Sequence, residues 1–160
     1  MCQRQIDDAA EIVQQYIDER HSFLSWLGAR VEKVDYGAVV MAVPFDERLT
    51  NKPPKGADGD PEVGPQIHGG VAATLIDTAG GLALRPFLDD PFSGNIATVN
   101  LNVNYLRPAT DDLTATAEVI RAGNTIGVST ITVESEQPDG DTQPVATGHG
   151  AYRMFRSTGE

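Results

Sequence analysis

The segment His68-Gly69-Gly70 followed by Asp77 sets two complementary chemical groups on one helix. Two glycines at the start of a helix leave the first-turn N–H groups uncovered. The helix dipole adds positive potential at that end. A carbonyl oxygen docked there would meet donors suited to a developing oxyanion. Asp77 lies eight residues beyond Gly69, a helix rise of about 12 Å. That is too far for both to serve one carbonyl within a single chain, so the simplest working unit is a dimer in which two such helices meet. At about 100° per residue, Val71, Thr74, Leu75, Thr78 and Leu82 share the side expected to face a sheet. Gly70, Ala73, Asp77, Gly80 and Gly81 occupy the other, with Leu84 at its far end. A solvated helix face would favour Glu, Lys, Arg or Gln over glycines that cost roughly 1 kcal/mol each. These small neighbours around a carboxylate fit a face approached by another backbone or by a ligand.

The other polar residues carry less. His21 and His149 lie on a helix and a strand as packing or surface groups, and the three histidines lack ligand spacing, so no metal site is expected. Ser22, Ser25 and Ser129 have no G-x-S-x-G context. Cys2 is alone, which excludes a disulfide framework. Arg107, before Pro108 at a strand end, is a candidate for an anionic substrate or a structural ion pair, and Arg121 is a weaker one.

These residues need a scaffold, and periodicity supplies one. Residues 6–27 recur at three- and four-residue spacing and read as a helix stopped by Gly28. Residues 29–45 read as two strand halves about Gly37. Residues 46–66 form one long Pro/Gly/Asp-rich loop, either a lid or a surface insert. His68 to Leu84 is the second helix. In 98–105, Val99, Leu101, Val103 and Tyr105 alternate with Thr98, Asn100, Asn102 and Asn104. Residues 113–120 alternate likewise. In 126–134 the phase slips between Val128 and Ile131, which suggests a bulge or a change of buried face. A last strand runs from about Pro144 to Phe155. The order of elements is that of an α+β layer fold, an antiparallel sheet packed on one long helix.

The 160 residues carry 12 basic and 23 acidic side chains, a formal net charge of −11. Nucleic-acid binding needs a basic footprint and is not expected. Arginine outnumbers lysine nine to three and aspartate outnumbers glutamate 14 to nine. That balance arises by drift or by adaptation to high salt. No apolar run reaches the ~18 residues that span a bilayer, so no membrane is expected as a partner. The start of the chain lacks a signal peptide's basic and apolar regions, so a cytoplasmic place is expected.

The run from Gln66 to Asp77 resembles the HGG-x-x-x-x-x-x-D signature of the PaaI-like hotdog-fold acyl-CoA thioesterases, and Ala97 to Ala109 resembles the strand that follows it there. The likeness covers about residues 30–155. It leaves residues 1–28 as a weakly matched N-terminal helix and implies 29–160 as a hotdog domain with an insert near 46–66. The resemblance further implies a homodimer or homotetramer with sites between subunits and no cofactor. It implies that the Gly69 N–H, with Gly70 beside it, polarises the thioester carbonyl of an acyl-CoA, that Asp77 of the partner activates water or attacks directly, that His68 shapes the oxyanion end, and that Thr98 helps hold the water. The family's Asn normally precedes the HGG histidine by six residues. Glu62 stands there, and Asn51 is the better match across the insert. Arg107 would pair with coenzyme A phosphates. Hotdog proteins also include hydroxyacyl-thioester dehydratases and hydratases and non-catalytic acyl-CoA binders. Asp77 together with Thr98 favours hydrolysis.

Overall fold

A computed structural model describes residues 8–52 and 64–156. The apolar spacing near the N-terminus yields two helices, α1 (Ala9–Arg20) and α2 (Ser22–Leu27), rather than the one expected. The break is His21, at φ −119° and ψ 79°, whose Nδ1 faces the Leu24 N–H at 3.4 Å. Gly28 ends α2 at φ 73°, a conformation glycine adopts without strain. Strands β1 (Arg30–Asp35) and β2 (Ala38–Val43) pair antiparallel about Gly37, which turns at φ 83°.

The segment expected as one loop over 46–66 is structured at its described ends. A 3-10 turn over Glu47–Leu49 leads into β3 (Thr50–Asn51), which pairs with β4 (Gln66–Ile67). Residues 53–63, where a lid was considered, lie outside the described residues. Helix α3 (Gly69–Leu84) follows, then β5 (Asn95–Tyr105), β6 (Leu113–Ala122), β7 (Ile126–Glu136) and β8 (Thr142–Phe155). The main sheet is antiparallel throughout in the order β1-β2-β6-β7-β8-β5, with α3 packed on one face. This is the expected hotdog, α+β, with the core between helix and sheet. Ile17, Leu24 and Leu27 of the N-terminal helices join that same core.

Three expectations about which side faces inward change. Along α3, buried residues come in adjacent pairs: Val71 and Ala72, Leu75 and Ile76, Ala79 and Gly80, Ala83 and Leu84. Gly80 and Leu84 therefore belong to the sheet side, while Thr74, Thr78 and Leu82 lie with Ala73, Asp77 and Gly81 on the partly open side. The seventeen-residue pattern misled because threonine and leucine were read as the more buried types.

In β7 no phase slip exists. Gly127, Ser129, Ile131, Val133 and Ser135 all point inward, and Ser129 merely places a polar residue at a core position. Its hydroxyl is satisfied by donating to the Gly80 carbonyl at 2.9 Å.

In β5, by contrast, a bulge breaks an alternation that reads as faultless. Thr98 pairs with Tyr152 and Asn100 with Ala151, leaving Val99 as an extra residue. The bulge reverses the phase. Ile96 and Thr98 before it, and Leu101, Val103 and Tyr105 after it, all face α3.

Candidate active site

The N-terminal end of α3 is held by its own cap. His68 Nδ1 accepts the Gly70 N–H at 2.9 Å, and the His68 N–H donates to the Leu49 carbonyl at 2.8 Å. The former bond engages Nδ1 with the first turn of the helix. The expectation that both glycine amides stand free is thereby corrected. Gly70's donor is taken, and the Gly69 N–H is without a partner among the described residues. Tyr105 covers this end. Its hydroxyl donates to the Gly69 carbonyl at 2.9 Å, and a Cβ at Gly69 would come within 2.9 Å of its ring. A side chain at Gly69 would have to displace the Tyr105 ring, which lies directly on this backbone.

Asn51 is brought to the same end. The β3–β4 pairing sets it opposite Gln66, two residues before His68, with its side chain exposed. Arg107 lies just past β5, also exposed, with Nη1 donating to the Pro144 carbonyl at 2.9 Å. It does not line the cavity that holds Asp77.

Asp77 sits two turns further along α3, half-buried, with Oδ1 accepting the Thr98 hydroxyl at 2.6 Å. The Val99 bulge makes this bond attainable, since an unbroken strand would turn Thr98 outward. Thr98's cross-strand neighbour Tyr152 fixes the helix backbone at the same point. Its phenol donates to the Asp77 carbonyl at 3.0 Å and approaches the Ile76 carbonyl at 3.4 Å. Burial, with the Asp77 charge adding, pushes the Tyr152 phenol well above its ordinary value, so it remains a donor. The ring fits because Gly80 and Gly150 have no side chains. A Cβ at either would overlap the phenol oxygen.

Asp77 and Thr98 open on a cavity of about 770 Å³. Its walls are the partly open side of α3, α1 and α2, and the segment from Pro91 to Ile96. His21 lines this cavity too, a placement that periodicity could not show. Tyr105 and Tyr152 were not singled out from the sequence as site residues. For Tyr152 a signal existed: Gly148-x-Gly150-x-Tyr152 puts two glycines on the tyrosine's own face of β8, room for its ring to fold back. Tyr105 gave none beyond its place in an alternating strand.

The arrangement thus separates a free helix-terminal amide from a hydroxyl-held carboxylate by the length of two helical turns. A six-stranded antiparallel sheet wrapped on one long helix is the fold of the hotdog thioesterases. A model of the "Thioesterase superfamily" matches residues 65–141, from just before α3 to the turn after β7. The candidate esterase VNG_1336C of Halobacterium salinarum is 48% identical over 152 residues, covering 94% of this chain and 95% of that one. The medium/long-chain acyl-CoA thioesterase YigI of Escherichia coli is 31% identical over 83 residues, covering 44% of this chain and 54% of its own. A thioesterase family protein from Silicibacter pomeroyi superposes with a TM-score of 0.73 at 26% identity, covering 92% of this chain and 97% of that one. The chain belongs to the thioesterase superfamily.

Proposed function

We propose that the protein hydrolyses acyl-CoA thioesters to the free acid and coenzyme A, as a homo-oligomer with its sites between subunits. The observation that carries this reading is the Asp77 carboxylate held by Thr98 at 2.6 Å on the wall of a 770 Å³ cavity. The acyl-CoA substrate is supported by the likeness to YigI, a medium/long-chain acyl-CoA thioesterase.

The distance between the two ends of α3 supports the dimer. The β5 strand is an edge of eleven residues, paired with β8 alone among the described residues, and it exposes Val99, Tyr105 and Leu106. A long uncovered edge with apolar residues is a template for pairing with another strand. Joining two copies there brings the N-terminus of one α3 toward the carboxylate of the other.

In that unit the Gly69 N–H donates to the thioester oxygen and stabilises the negative charge that develops on it. His68 keeps that amide's neighbour engaged and fixes the first turn. Asp77 takes a proton from water as water attacks the carbonyl carbon, or attacks that carbon itself to give an anhydride that water then opens. Either way the C–S bond breaks, the thiolate leaves with the electron pair, and a proton restores the thiol. Thr98 orients the carboxylate through Oδ1 and leaves Oδ2 for water or the acyl carbon. In this reading Asn51, exposed on β3, holds the thioester, and Arg107, exposed past β5, meets a coenzyme A phosphate.

Replacing Asp77 by Asn keeps the shape and removes the base and the nucleophile. Thiol release from acyl-CoA is expected to fall at least a thousandfold with the melting temperature and oligomeric state preserved, an order of loss like that from removing a base and nucleophile in one. Turnover within tenfold of the parent would sink the assignment.

A further inference from the structure

Gly80 and Gly81 are neighbours on α3 with different reasons for being glycine. At Gly80 a Cβ would overlap the Tyr152 phenol oxygen and lie 3.0 Å from Ile131 Cδ1, so packing forbids a side chain. At Gly81 a Cβ would meet Tyr152 Cε1 at 3.4 Å, Tyr152 Cδ1 at 3.6 Å and Ile96 Cγ2 at 3.9 Å, all ordinary contacts. Its φ is not positive, so the backbone does not ask for glycine either. Glycine is the poorest interior helix residue after proline. An unforced glycine in the middle of a sixteen-residue helix calls for a reason outside the protein's own packing.

The cavity supplies one. Gly81 lines it one turn beyond Asp77, and Leu82 and Arg85 continue along the same side. The facing walls are largely apolar, with Ile12, Val13 and Ile17 from α1 and Phe92 and Ile96 from the segment after α3, and polar at His21, Ser93 and Asn95. At the far end Arg85 is tied to the segment after α3, its Nη1 donating to the Pro91 carbonyl at 2.8 Å and the Gly94 carbonyl at 3.1 Å. From Asp77 to Arg85 the helix rises about 12 Å. An extended chain advances about 1.2 Å per bond, so this track holds about ten bonds. An apolar trough of that length, starting at the reacting carboxylate, matches an unbranched aliphatic tail.

We propose that Gly81 is a specificity-determining residue that keeps this track open for a linear, medium-length acyl chain, of the octanoyl to decanoyl class. The proposal rests on the acyl-CoA thioesterase reading and narrows its substrate.

The test measures kcat/KM by thiol release for acetyl-, butyryl-, octanoyl-, decanoyl- and palmitoyl-CoA, with the parent, Gly81→Ala and Gly81→Val, and melting temperatures for these and Gly80→Ala. The parent is expected to peak at octanoyl or decanoyl. The octanoyl-to-acetyl ratio should fall tenfold or more in Gly81→Val, which adds three carbons where a single methylene is worth about tenfold or more. Gly81→Ala should melt at or above the parent, whereas Gly80→Ala melts below it. Gly81→Ala also carries the specificity test if the valine variant does not fold, with a fall in the same ratio. A ratio unchanged in the folded variants overturns the proposal while leaving the thioesterase reading intact. So does a Gly81→Ala that loses as much stability as Gly80→Ala, since packing would then explain the glycine. Absence of thiol release from every acyl-CoA by the parent overturns the thioesterase reading, and this proposal with it.

Discussion

Gly80→Ala adds one methyl group at the place where the Tyr152 phenol meets α3. The phenol cannot step aside, because Gly150 bounds it on the other face and Tyr152 is only 1% exposed. An overlap this deep falls in the upper half of the overpacking range, about 2–3 kcal/mol, and alanine returns about 1 kcal/mol through its helix preference. The net loss is therefore about 1–2 kcal/mol, or roughly 2–8 °C in melting temperature for a chain of this size. Tyr152→Phe alone removes a hydroxyl that donates to carbonyls already inside a helix, so no acceptor is orphaned and the loss is about 1 kcal/mol. In the double variant the offending oxygen is gone. The nearest atoms to the new methyl are then the Tyr152 ring carbon and Ile131 Cδ1, both at 3.0 Å, a spacing that small shifts relieve. Gly80→Ala should thus cost little or nothing in the Phe background. Thermal melts of the four proteins at one concentration give a coupling of about 1–2 kcal/mol between the positions, well above the ~0.5 kcal/mol scatter of independent sites. An equal cost of Gly80→Ala in both backgrounds would refute the account of this contact.

Thr98→Val keeps the shape and deletes the donor to Asp77. At the low end of the ~1.5–3 kcal/mol range for hydrogen bonds to charged groups, kcat should fall about tenfold with KM little changed, and an unaltered kcat removes Thr98 from the mechanism. The raised Tyr152 phenol means the folded state holds its proton more tightly than the unfolded chain. Its contribution is whole below pH ~10 and is lost as pH rises past that value, so denaturant titrations between pH 9 and 11 should show a falling stability whose slope is shallower in Tyr152→Phe. With a net charge of −11 and a relative in the halophile Halobacterium salinarum, both unfolding midpoint and kcat/KM for the anionic substrate should rise from 0.1 to 1 M KCl, as the Debye length shrinks from ~10 to ~3 Å. A flat response in both would assign the acidity to drift.

The sequence made the central helix and its ends legible because glycine, histidine and aspartate there have backbone reasons that do not depend on the rest of the fold. The six main strands were legible too, since their turns are marked by Gly, Pro and Asp. Inward direction was harder. Ser129 looked like a fault in β7 because a satisfied hydroxyl in the core is indistinguishable, in one sequence, from an outward residue. The bulge at Val99 was hidden for the opposite reason, since an apolar residue in step with its neighbours looks like part of the ladder. The His68 cap and the cavity under α1 depend on contacts made only after the chain has closed, as does the pairing that returns Asn51 to the start of α3. Residue type and spacing carry no trace of them.

The extra residue at Val99 gives β5 a parity. Every position before it counts odd and even from a different origin than every position after it, and Thr98 and Leu101 share a face only because one residue is counted out between them. Loss of Val99 itself would let the ladder close evenly with Thr98 still opposite Tyr152, whereas taking Val99 into the ladder with nothing lost would rotate Thr98 away from Asp77. Loss of a second residue would set Thr98 and Leu101 on opposite faces and shorten the strand. The hydroxyl that meets Asp77 is thus placed by a remainder: the count of residues between Thr98 and Leu101, and not the type of either, decides whether they share a face.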